Sequence, residues 1–127
     1  MTGGIMRFLT ISVVAAVLVA GMVGCKTTTV SKYGKAIPTG TQVVPAKDIL
    51  DNPAGFDGKE VVVTGKITSE CPSGGWVWVK DASGEIYVNM HPTNVFIPQK
   101  VGKTVKAMGT VVLEEGRPQV VGTGLEF

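Results

Sequence analysis

The sequence predicts an all-β domain, a small five-stranded barrel, behind an N-terminal export leader and a short tether. Three observations carry that prediction. The chain of 127 residues sets 17 Gly and 7 Pro among Val-rich runs, which favours short strands joined by turns over helices. Five runs between Glu60 and Phe127 have strand character, and two of the joints between them are Asp/Gly- or Glu-Gly-type turns. The third and fourth runs are parted by an irregular stretch, His91 to Lys103, broken by Pro92 and Pro98. With 44% hydrophobic and 17% charged residues, the composition is that of a folded chain.

In chain order, Met1 to Arg7 carries one positive charge, and Phe8 to Val23 is an uncharged apolar run of 16 residues. That is the pattern of a secretory signal. A membrane-crossing helix needs about 20 apolar residues, and Gly21 and Gly24 weaken the end of this run, so a removed leader is expected over a retained anchor. Translation beginning at Met1 or at Met6 yields the same pattern.

Met22-Val23-Gly24-Cys25, at the end of that run, resembles the lipobox of bacterial lipoproteins. The resemblance implies that the Cys25 thiol receives a diacylglyceryl group and that cleavage makes Cys25 the first residue of the mature protein. Met22 stands where Leu is usual and is similarly apolar. Residues 1–24 are thus expected to be signal peptide, 25–43 a lipidated tether and 44–127 the barrel. Each buried methylene contributes about 0.8 kcal/mol and two or more acyl chains hold stably, so the partner expected at this end is a membrane of the cell envelope. Lys26 stands where an Asp would resemble an inner-membrane retention signal. The expected address is the outer membrane, facing the periplasm, if the source is Gram-negative.

Without the 24-residue leader 103 residues remain, enough to bury one core without disulfides or metals. The leader's only charge is Arg7, so the mature part holds 11 basic against 10 acidic residues. That near balance, with no basic stripe, argues against nucleic acid.

Thr27 to Thr41 has no apolar period and reads as tether. Pro45 to Asp51 predicts one or two helical turns that Asn52-Pro53 ends. The predicted strands are Glu60 to Thr68, Trp76 to Lys80, Glu85 to Met90, Thr104 to Glu114 and Pro118 to Phe127. Val61, Val63 and Ile67 share the core face of the first. Three strands, an irregular connection and two more strands is the order of an OB-fold.

Pro53, Phe56, Gly58-Lys59, Val61 to Ile67, Cys71 before Gly75-Trp76, and Ile97-Pro98 before Gly102-Lys103 together resemble a group of bacterial envelope OB-fold proteins of unknown function, the DUF4920-like proteins. The likeness spans most of Val44 to Phe127. Many of that group place a second cysteine where this chain has Gly75. The resemblance therefore does not carry a two-cysteine site or a local disulfide over to this chain.

Two candidate sites emerge. If Val77, Val79, Ile86 and Val88 face the core, Trp76, Trp78 and Tyr87 form an outward stacking platform on the second and third barrel strands, the surface that OB-folds commonly use for ligands. The opposite parity would put both tryptophans in the core beneath Asn94 to Pro98. With near-neutral charge, the platform's expected partner is a glycan or an envelope protein. Second, Cys71 is the one thiol left after lipidation, and with Met90 and His91 it would make a soft ligand set suited to copper. The competing reading has a small buried cysteine, a surface histidine and a core methionine, unrelated in space. Without known ligand spacing no metal or other cofactor is expected. One histidine, no nucleophile triad, no phosphate loop and no clustered carboxylates point to a non-enzymatic binding module, with copper or thiol handling through Cys71 as the alternative.

Overall fold

The computed structural model describes residues 30–127; the predicted leader and Cys25 lie outside the described residues. Five strands close into a barrel: β2 (Glu60–Glu70), β3 (Trp76–Lys80), β4 (Glu85–Asn89), β5 (Thr104–Glu114) and β6 (Arg117–Glu126). Antiparallel ladders join β2 to β3, β3 to β4, β2 to β5 and β5 to β6. Closure comes from a short parallel pairing of β4 with β6, Val88 opposite Val120 and Asn89 opposite Val121. Closing the sheet removes its open edges.

The period-2 pattern decides what fills the barrel. Val61, Val63 and Ile67 of β2 meet Val77 and Val79 of β3, Ile86 and Val88 of β4, Val105 and Val111 of β5, and Val120 and Leu125 of β6 in one buried cluster. Each such side chain contributes about 1.5–3 kcal/mol on burial. Register shifts between Ile67 and Ser69 and between Met108 and Gly109 bend the two long strands. At Gly109 the backbone of Val121 passes so close that a Cβ would collide with its carbonyl.

The helical turns form as expected over α1 (Ala46–Asp51), which buries Ala46 and Ile49. Pro45 offers its first turn no side-chain cap; instead Asp81 Oδ2 accepts the Ala46 amide at 2.9 Å. The other oxygen, Oδ1, accepts the amides of Ser83 and Gly84 at 2.7 and 2.9 Å, so one carboxylate ties the β3–β4 turn to the start of α1. Asn52-Pro53 ends α1 but also begins a second short helix, α2 (Pro53–Phe56), where Asn52 is the N-cap and Pro53 occupies the first turn.

Part of the expected tether is laid against the barrel. β1 (Lys32–Gly34) pairs with Gly124–Glu126, alongside β6 beyond the point where β4 leaves it. Ile37 then covers Val62 and Met108, which face outward from the barrel, in a second small buried cluster. Without that cover two apolar side chains of β2 and β5 would stand in water. Val43 bridges Val62 in parallel as the chain enters α1.

The connection from β4 to β5 is irregular, as its prolines predict, with a single 3-10 turn at His91–Thr93. Ile97 is buried against the main core from this segment. Among the described residues no helix is long and apolar enough to cross a membrane.

Candidate functional site

Of the two parities open to β3 and β4, the chain adopts the one that turns the valines inward. Val77, Val79, Ile86 and Val88 are buried to within 1% of completely, and Trp76, Trp78 and Tyr87 alternate to the outside. Trp78 is directly opposite Tyr87 in register, with ring centroids 5.2 Å apart. Trp76 reaches Tyr87 from the other side at 5.9 Å. The three rings form one continuous surface centred on Tyr87, and Trp78, 37% exposed, is its open end.

That end borders a cleft of about 420 Å³. Its floor is Trp78, Tyr87 and the backbone of β4; one wall is Leu50 of α1, and the other is the β5–β6 hairpin with Glu114, Glu115, Arg117 and Gln119. Glu115 and Gly116 have φ of 51° and 77°, the left-handed pair of a tight hairpin turn. Leu50, 40% exposed, is an apolar residue of a short helix that the barrel does not cover.

Charge is uneven in the cleft. Glu85, Glu114 and Glu115 line it with Arg117 as the only basic residue. Arg117 lies 3.9 Å from Glu115, both widely exposed. Glu114 takes a hydrogen bond from Gln119 Nε2 at 3.0 Å, and Glu85 one from the Thr68 hydroxyl at 2.6 Å. Burial, with the charges of Cys71 and Glu114, pushes the Tyr87 phenol above its ordinary pKa. The sequence shows no clustered carboxylates, whereas the barrel sets three, from β4 and the β5–β6 hairpin, along one cleft. Glu85 is distant in sequence from the adjacent Glu114 and Glu115, which end a predicted strand and open the turn after it.

Cys71 opens the loop from β2 to β3, half-buried, its Sγ 2.9 Å from Ser73 Oγ. The Ser73 hydroxyl, helped by loop amides, holds the thiol below its ordinary pKa. Gln99 Nε2 pins the loop through the carbonyls of Cys71 and Pro72 at 3.0 and 3.1 Å. The His91 imidazole lies over Gly75, in the same loop, with its edge against Phe96. Met90 is fully buried in the main core, so its thioether faces the barrel interior. Among the described residues no three His, Cys, Asp or Glu side chains are placed to hold one metal ion.

A closed five-stranded barrel with an exposed face on its second and third strands is OB-like. The comparisons agree on the fold. The chain resembles the structure of the hypothetical protein ygiW from E. coli with a TM-score of 0.52 and 23% identity, over 72% of this chain and 95% of that one. It also resembles part of asparaginyl-tRNA synthetase from Pyrococcus horikoshii, solved with asparaginyl-adenylate, with a TM-score of 0.54 and 19% identity over 66% of this chain. The chain spans 21% of the synthetase. No protein-family model matches the chain, and no curated protein matches it.

Proposed function

We propose that this chain is a lipid-anchored protein of the cell envelope whose OB-like barrel is a non-enzymatic binding module. The observation that carries the binding reading is the open aromatic face of Trp78 and Tyr87 at the floor of a 420 Å³ cleft, within the range of about 300–1,000 Å³ usual for ligand sites. The anchor rests on the leader and on Cys25, whose sulfur would carry the lipid. The barrel would then be held at the membrane surface, facing the periplasm from the outer membrane in a Gram-negative source. Its partner would be a glycan or an envelope protein.

Cys25→Ser tests the address, since the attachment atom is the thiol sulfur. The variant should accumulate as uncleaved precursor and take up no labelled fatty acid; label still incorporated would refute the anchor. Capture of envelope glycan or protein by the full chain should fall with Trp78→Ala while the fold persists.

A second reading, thiol or copper handling, is favoured by one observation: the Cys71 thiol is more acidic than usual beside Ser73. Copper(I) titration of the full chain with and without Cys71→Ser decides it.

A further inference from the structure

The cleft holds three carboxylates, the exposed ring of Trp78 and the half-buried ring of Tyr87, and that combination selects a ligand charge. Aromatic faces attract cations through their negative quadrupole and attract apolar stems by contact. Among the described residues the ion pairs are Lys47–Asp51 and Glu115–Arg117, so Glu85 and Glu114 reach the cleft with neutral hydrogen-bond partners only. Lys80 is opposite Glu85 in register but is not among the residues lining the cleft. The near-neutral charge of the chain as a whole conceals this local excess of negative charge.

We infer that the cleft binds a small organic amine, its ammonium facing Glu85 and Glu114, the two carboxylates without a charged partner, and its alkyl stem lying on Trp78 and Leu50. This rests on the binding-face reading above and narrows its ligand class. An anionic ligand would meet the same carboxylates and be repelled. A neutral sugar would use the rings but leave Glu85 and Glu114 without a charged partner. The volume of about 420 Å³ suits a linear di- or triamine, and one end of such a molecule reaches the hairpin while the stem covers the ring of Trp78.

The test uses the chain's own reporters, because its two tryptophans are Trp76 and Trp78. Full-length protein in non-ionic detergent is titrated with spermidine while tryptophan emission is followed. The expected result is a saturable change that weakens with added salt and whose affinity falls about tenfold in Glu85→Gln/Glu114→Gln. Both substituted side chains are exposed, so melting should match the parent. Undiminished binding in the double variant would overturn the proposal. Saturation by a neutral chitooligosaccharide with none by spermidine would also overturn it, while leaving the binding face intact. Silence towards both would overturn the amine assignment, and the binding face itself would then be judged by cross-linking from residue 78.

Discussion

The imidazole of His91 occupies the space into which a side chain at Gly75 would project: a Cβ there would be 2.5 Å from Nε2. Glycine at 75 and histidine at 91 are therefore one arrangement, joined also by the Met90 amide donating to the Gly75 carbonyl at 2.8 Å. Because the His91 ring is exposed and can swing aside, Gly75→Ala should destabilise the protein by no more than about 1 kcal/mol. In a His91→Ala background most of that loss should vanish, and a double-mutant cycle measured by denaturant melts reads the coupling. Equal losses in both backgrounds would mean the ring does not hold that position.

Asp81 gives the acid limit of the fold a specific cause. Burial raises its pKa, yet the hydrogen bonds from Ser83, Ala46 and Gly84 outweigh burial and hold the carboxyl below 3.8. A depressed folded-state pKa means stability that is complete above the unfolded value and is lost as pH falls through the folded one. Asp81→Ala should cost about 2 kcal/mol at neutral pH, with less difference from the parent in strong acid. Melting curves across pH check both parts.

Glu70 is the buried carboxylate that fastens the connection between β4 and β5. Its Oε1 accepts the amides of Lys100 and Val101, the latter at 2.8 Å, and its Oε2 is buried with no protein partner. Glu70→Ala leaves two amides without an acceptor and should destabilise by about 2 kcal/mol. Hydrogen exchange at Lys100 and Val101 should accelerate well before exchange in β5.

Opposite outcomes are expected from adjacent residues on β3. Val79 is 1% exposed in the core, and Val79→Ala should cost about 2 kcal/mol. Trp78→Ala removes a larger side chain but from the surface, losing chiefly its contact with Tyr87, about 1 kcal/mol. A large loss at Trp78 with a small one at Val79 would reverse the parity of the strand.

What the chain makes legible before folding is local and periodic. β3 and β5 begin and end where alternation and turn residues predict, and the Glu115-Gly116 turn is readable because glycine tolerates its φ of 77°. β1 is not readable, because three residues, Lys32, Tyr33 and Gly34, have no period, and their pairing with Gly124–Glu126 is set by the far end of the chain. Val62, off the core face of β2, is buried only because Ile37 covers it, a contact no local period encodes. The platform of Trp76, Trp78 and Tyr87 is a matter of parity and could be read; the cleft beside it could not. It depends on α1 and the β5–β6 hairpin meeting over β4, a consequence of barrel closure. The same closure sets Glu85 on one cleft with Glu114 and Glu115, which no spacing in the sequence announces.

The central claim is that ligand meets the barrel at the outer face of β3 and β4. A photoreactive phenylalanine analogue placed at residue 78, and separately at Val101, which is 58% exposed but outside the cleft, tests it in intact cells of the source organism. Adducts with an envelope component from residue 78, competed by added ligand and absent from residue 101, are the predicted result. Adducts of equal yield from both positions, or from residue 101 alone, would contradict it.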